Sequence, residues 1–317
     1  MYLARFLLIR NLPGKRDNVR GGGAISCVAH VEFADLDIAE LRKWVGKSET
    51  ATDQVTPVPV AALAATLDLD APHPRAGDPL PPLWHWLYFL PIHRESELSA
   101  DGHAKRGGFL PPIPLPRRIW AGGRFEFRHP LRVGESITRA SRIADIEQKQ
   151  GRTGPLVFVV VRHEISNSAG LALSEEQDLV FRGLSNPGDP APTHRPAPGD
   201  SAWERVVRPD DVLLFRYSAL TFNGHRIHYD RRFATDVEGY PGLVVHGPLI
   251  ATLLMDLLRR KLPQACVTRF TFRAGSPLFD TSSFSLCGKP EDGGKTISLW
   301  AKTADGGLAT TATAEIL

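Results

Sequence analysis

The chain has 317 residues, 42% apolar and 23% charged, enough apolar content for a sizeable buried core and too much for wholesale disorder. Its formal charge is only +3 and its Lys and Arg residues form no block, which argues against a nucleic-acid partner, and no apolar run approaches the roughly eighteen residues that span a bilayer. Three distant cysteines, Cys27, Cys266 and Cys287, rule out a disulfide framework or zinc ribbon and fit a reducing compartment; 28 Gly and 26 Pro rule out a long-helix bundle.

In chain order, residues 1–33 are basic, with a short apolar run at 2–9 and a glycine triplet at 21–23. That run starts at the N-terminus and no small-residue cleavage site follows it, which disfavours a secretory signal. The reading adopted is an extension outside the folded unit of a cytoplasmic protein. Arg5, Arg10, Arg16 and Arg20 leave an organellar transit peptide, and an organellar matrix, as the alternative. Residues 38–45 read as a short amphipathic helix and 58–67 as a second, apolar one. A loop-rich stretch at 71–116 carries Trp84, His85 and Trp86. Alternating patterns rich in Val and Phe then predict strands at 123–128, 136–146, 154–166 and 172–181.

The proline-dense stretch 186–200 reads as an extended linker between two units, 34–185 and 201–317. The units look related. RFEFR at 124–128 recurs as RFTFR at 269–273, and the turn, Gly-Leu-Ala and closing strand of 167–181 recur at 304–317. A tandem duplication of a helix followed by consecutive strands predicts an α+β fold, and no GxGxxG or P-loop pattern appears.

The second unit opens on the most reactive segment, 217–258. Asn223, His225, Arg226, His228, Tyr229 and Asp230 crowd together between a strand-like apolar run at 212–215 and a helix-like run at 249–258. His246-Gly247-Pro248 opens that helix, with proline in the first turn where its missing N–H costs nothing. Backbone N–H groups there suit a developing oxyanion.

This segment resembles the hydratase signature of the (R)-specific enoyl-CoA hydratase, or MaoC-like, group of the hot-dog fold. Tyr217, Thr221, Asn223, His228 and Ala234 take its places at the right spacing, and His246-Gly247 matches the start of the family's central helix. TFNGHRIHYD, with PPLWHWLYFL and GGFLPPIPLPRRIWAGGRFEF upstream, is similar to the branch containing mesaconyl-C4-CoA (3-methylfumaryl-CoA) hydratase, itaconyl-CoA hydratase and mitochondrial 3-hydroxyacyl-thioester dehydratase. The resemblance covers about residues 35–317. It implies a double hot-dog, with the first repeat supplying the pocket and the second the catalysis. It also implies a hydro-lyase acting on a short branched dicarboxylic enoyl-CoA, with citramalyl-CoA as the hydrated form. Coenzyme A enters only with the substrate, neither metal nor redox cofactor is needed, and a homodimer is compatible.

The signature's acidic position is occupied by Asn223, and an amide cannot act as a general base. The resemblance therefore assigns proton transfer to His228, water orientation to Asn223 and the oxyanion to Gly247, with His225 or Asp230 sharing the work. Rival readings remain at this stage. Asn223 serves as an Asn-Gly turn residue tolerant of positive φ, His246 is only a helix cap, or His225, His228 and Asp230 hold a metal. Arg117, Arg118 and Arg226 are candidates for a substrate carboxylate or coenzyme A phosphate, Trp84 and Trp86 for core or pocket wall, and His246 for substrate binding. The alternative functions are a straight-chain (3R)-hydroxyacyl-thioester dehydratase of fatty acid synthesis, a hot-dog thioesterase, or a non-catalytic acyl-CoA binding module.

Overall fold

The computed structural model describes residues 36–151, 154–184 and 195–317. The extension at 1–33, with Cys27 and the transit-peptide reading, and most of the 186–200 linker lie outside the described residues. The last part of that linker runs beside the 306–308 turn, with Ala197 N–H on Gly306 O and Leu308 N–H on Arg195 O.

The alternating patterns fold as strands longer than their apolar signal: β2 (Arg117–Phe127), β3 (Ser136–Gly151), β4 (Gly154–Asn167) and β5 (Gly170–Arg182). In β4, Val157, Val159, Val161 and Ile165 turn inward while Arg162 and Glu164 stay exposed, the two-residue period of a half-buried strand. The early helix predictions also hold, as α1 (Ile38–Arg42) and α2 (Pro57–Thr66). Asp37 caps α1 by accepting from Ala39 N–H and Glu40 N–H. Between them lies β1 (Ser48–Gln54), an edge strand too exposed to show an apolar signal.

One expectation fails. The apolar run at 212–215 is part of a helix, α3 (Asp211–Leu220), with Asp210 as its N-cap through Leu213 N–H at 2.8 Å. Leu214, Tyr217 and Ser218 are buried while Val212 and Phe215 are exposed, so burial there has a helical period. Before α3 comes the edge strand β6 (Trp203–Val207); after it come α4 (Gly247–Lys261), β7 (Val267–Ala274), β8 (Phe284–Glu291), β9 (Thr296–Thr303) and β10 (Leu308–Ile316).

The ten strands among the described residues form one antiparallel sheet in the order β1-β3-β4-β5-β2-β7-β10-β9-β8-β6. The first five strands and the last five thus trace the same order, and the two sets join where β2 meets β7. There the repeated motifs pair with each other, Phe125 opposite Phe270, with ring centroids 6.0 Å apart. The closing strands of the second matched segment, β5 and β10, hold equivalent places.

The halves differ in what their sheet wraps. Every residue of α4 from Leu249 to Leu258 is buried, as expected of a helix threaded through a core rather than laid on it. Its one buried charge, Asp256, is bound by Arg205 and Arg260, each at 2.7 Å. Between α2 and β2 the first half has only short 3₁₀ turns, Trp84–Leu87 and Glu95–Glu97, so no long helix fills its sheet. Among the described residues no helix is long and apolar enough to cross a membrane.

Candidate active site

The loop after α3 is set by its own hydrogen bonds. Asn223 Oδ1 accepts from His225 N–H at 3.0 Å, and Asn223 N–H donates to Ser218 O. The positive φ of this loop falls on Phe222, at 49°, so left-handed backbone is not the reason for Asn223. Residues Arg226–His228 then form a 3₁₀ turn that buries His228.

His228 Nδ1 donates to Val244 O at 2.7 Å, which fixes the tautomer and leaves Nε2 with the lone pair. Its ring stacks on that of His246, centroids 3.7 Å apart and 18° from parallel. His246 caps α4 and shares a hydrogen bond with Ser218 Oγ at 2.7 Å. Burial pushes His228 down to about 4 and His246 well below the usual imidazole range, so both are neutral at pH 7. His225 stands edge-on to His228 at 5.3 Å; burial, then the neighbouring imidazoles, push it down to about 2.

A cleft of about 1450 Å³ joins this loop to the first half of the chain. Asn223, His225, His228 and Gly247 line it on one side, and Asp101, His103, Arg118 and Trp120 on the other. Gly247 N–H, at the start of α4, has no protein acceptor among the described residues. The Arg118 guanidinium makes no hydrogen bond or ion pair with the protein among them; burial, offset in part by the more distant Asp101 charge, lowers it to about 10, a value at which it still carries its charge at pH 7. An unpaired cation in a cleft is a site for an anion.

The other predicted residues are placed elsewhere or committed. Arg117 borders the cleft but is tied to Glu238, Nε to Oε2 at 2.8 Å, and lies over Tyr240. Arg226 binds Asp230 at 2.7 Å, four residues on, and Ala100 O at 3.0 Å; Asp230 also accepts from Phe233 N–H. Neither Arg226 nor Asp230 lines the cleft. Trp84 is core, beneath Arg259, and Trp86 Nε1 donates to Glu175 at 3.1 Å. The tryptophan of the cleft is Trp120, packed edge-on to Phe272. Trp84 and Trp86 turn away because their 3₁₀ turn is anchored by His85 on Glu175, a buried pair at 2.8 Å.

Sequence reasoning missed Asp101 and His103, which lie at the end of a small hairpin in the loop-rich stretch. The one signal for them was the carboxylate lacking at 223. Asp101, His103 and His225 bring ligand-type atoms within 4.8 Å of one another. Asp101 and His103 are however hydrogen-bonded to each other, and the Arg118 and Arg106 charges act on the same place, which disfavours a cation. The grouping of His225 and His228 with Asp230 does not form.

A family model described as hydroxyacyl-thioester dehydratase type 2 matches residues 83–280. The chain is 50% identical to mesaconyl-C(4)-CoA hydratase of Chloroflexus aurantiacus over 284 residues, 89% of this chain and 99% of that protein. Among solved structures, a MaoC-like dehydratase superposes with a TM-score of 0.64 at 16% identity, covering 86% of this chain and 98% of its own. A Mycobacterium tuberculosis protein described as a double hotdog fold gives a TM-score of 0.51 at 14% identity, covering 88% and 98%. These two structures bear on the fold, which is the double hot-dog.

Proposed function

The chain belongs to the hydroxyacyl-thioester dehydratase type 2 family, in the MaoC-like hot-dog group, and from that premise we propose that it hydrates a short branched enoyl-CoA carrying a second carboxylate. The enzyme is a hydro-lyase whose substrate is a small-molecule thioester. The first candidates are mesaconyl-C4-CoA, the substrate in the name of the 50% identical relative, and itaconyl-CoA, with citramalyl-CoA as product.

The observation that carries this reading is Arg118, charged, unpaired and facing the same cleft as His228 and Gly247. In mesaconyl-C4-CoA the free carboxylate is bonded to the carbon that receives water. Its anion must therefore lie near the catalytic imidazole, in the cleft that Arg118 also lines. His228 Nε2 takes the proton from water, Asn223 orients that water, and Gly247 N–H binds the enolate oxygen. Residues 201–317 thus supply the chemistry and 34–185 the pocket. No metal or redox cofactor enters the proposal, and the setting is the cytoplasm.

The family's description favours a second reading, dehydration of straight-chain (3R)-hydroxyacyl thioesters. Arg118 separates the two, because a straight chain leaves it without an anion. Hydration is followed by loss of enoyl-thioester absorbance, beside a free-thiol assay that reports any thioesterase. The expected result is turnover of mesaconyl-C4-CoA or itaconyl-CoA well above crotonyl-CoA, without thiol release. Arg118→Gln should lower kcat/KM for the carboxylated substrate by roughly ten- to hundredfold, the worth of one charge-assisted hydrogen bond, and leave crotonyl-CoA nearly unchanged. Preference for crotonyl-CoA in the native enzyme would overturn the substrate assignment.

A further inference from the structure

Hydration needs a proton for the α-carbon as well as a base for water, and the residue at the signature's acidic position, Asn223, supplies neither. We propose that His103, held by Asp101, is the second acid–base residue of this active site, contributed by the first half of the chain in place of the missing carboxylate. The inference rests on the hydratase reading above.

The position of His103 is built. Residues 98 and 104 pair as a hairpin, with Ser99 N–H on His103 O and Gly102 N–H on Ser99 O. This hairpin is fastened to the catalytic loop by Arg226, whose N–H donates to Asp101 O at 2.9 Å and whose Nη1 donates to Ala100 O. Gly102 and Gly224 meet backbone to backbone. A Cβ on Gly102 would fall 1.8 Å from Gly224 O, and one on Gly224 would fall 2.9 Å from Gly102 O. No other residue pair allows this approach, and it sets His103 against His225, ring centroids 4.0 Å apart.

The chemistry of His103 is equally specific. Asp101 uses both oxygens on it, Oδ2 with Nδ1 at 2.9 Å and Oδ1 with the backbone N–H at 3.0 Å. Nδ1 therefore carries hydrogen, and Nε2 is the nitrogen that exchanges protons. His103, His225 and His228 line the cleft, with His246 stacked behind His228, and the partners of these four rings differ: Val244 O for His228, Ser218 Oγ for His246, no ring hydrogen bond to protein for His225 among the described residues, and a carboxylate for His103. A carboxylate at that distance stabilises imidazolium, so His103 is the ring best able to hold a proton.

The groups facing His103 are Asp101, Arg118, Arg106 and His225. Burial and then the Arg118 charge hold its proton affinity below that of a free imidazole, and Asp101 offsets part of that lowering. A substrate carboxylate on Arg118 cancels the opposing charge, so the anion that is recognised also readies the acid. Water then gives its proton to His228 Nε2 as its oxygen bonds to the β-carbon and the double-bond pair shifts to the thioester oxygen. As that enolate collapses, the α-carbon takes the proton from His103 Nε2. His228 then gives its proton to water in the cleft and His103 takes one from it, so one water is consumed overall and both imidazoles are restored.

The test is the pH dependence of kcat in the full-length enzyme with mesaconyl-C4-CoA. A general acid must be protonated, so native kcat should fall as pH rises through the His103 value in the complex. His103→Gln should lower kcat by about a hundredfold with little change in KM and abolish that basic limb. His103→Ala should regain activity with added imidazole. Asp101→Asn removes the group that raises His103, so its basic limb should move to lower pH; this variant carries the test should His103 variants fold poorly. Activity of His103→Gln within threefold of native, or an unaltered pH profile in Asp101→Asn, would overturn the proposal while native hydration left the functional reading standing. Loss of activity on dialysis against EDTA, regained with zinc alone, would overturn it in favour of a metal held by Asp101, His103 and His225.

Discussion

A single imidazole carries the strongest claim at the residue scale. His228→Ala should cost about a hundredfold or more in kcat with the fold retained, as for loss of general acid–base catalysis. Burial depresses His228 to about 4, so its base form is present above that value and is lost as pH falls through it. The kcat/KM profile of the native enzyme should accordingly hold its level to about pH 5 and drop near 4. Asn223→Asp keeps the acceptor for His225 N–H and adds a negative charge to the cleft that His228 lines; the acid limb should then move to higher pH, as a nearby carboxylate favours imidazolium. Asn223, His228 and Gly247 were legible because one short segment encodes them. Asp101 and His103 were not, because their contact depends on two glycines in loops far apart in the chain, Gly102 and Gly224. Arg226 and Asp230 were misleading for a local reason: a four-residue spacing in a helical turn makes an ion pair, which commits the two side chains to each other and not to the site.

Elements were predicted best where periodicity was long and worst where a short apolar run left the period open. Val212, Leu213, Leu214 and Phe215 look like a strand in isolation, yet Asp210 ahead of them is a helix cap. Asp210→Ala should therefore cost about 1 kcal/mol, read as a lowered midpoint in thermal or urea denaturation, with no effect on KM. The hairpin bearing His103 is a second case, since its short polar turn gives no hint of docking in the sequence. Gly102→Ala places a Cβ where Gly224 O lies and at a φ of +87°, so it should displace the hairpin and lower kcat as His103→Gln does. Its far-ultraviolet circular dichroism should stay native, because the ten strands do not depend on that contact.

For the whole molecule, the informative fact is an asymmetry between halves of equal strand order. The repeat was legible through RFEFR and RFTFR, whose pairing at β2–β7 joins the halves into one sheet. What the sequence did not display was that only the second half wraps a long apolar helix, leaving the cleft to be walled by side chains of the first. Trp120 is the bulkiest of these. It packs against Phe272 and Trp86 and binds Gly122 O through Nε1, so it is a fixed wall. If that wall sets acyl length, Trp120→Ala should shift the ratio of kcat/KM values from mesaconyl-C4-CoA toward enoyl-CoA chains of about eight carbons. A hydrophobic pocket discriminates by roughly ten- to two-hundredfold per methylene, which gives a gain large enough to read in a competition assay. Arg118 is untouched by this change, so the longer chain should gain while the carboxylated substrate keeps its dependence on Arg118. Loss of both together would mean that Trp120 holds the catalytic half in place rather than bounding the acyl pocket.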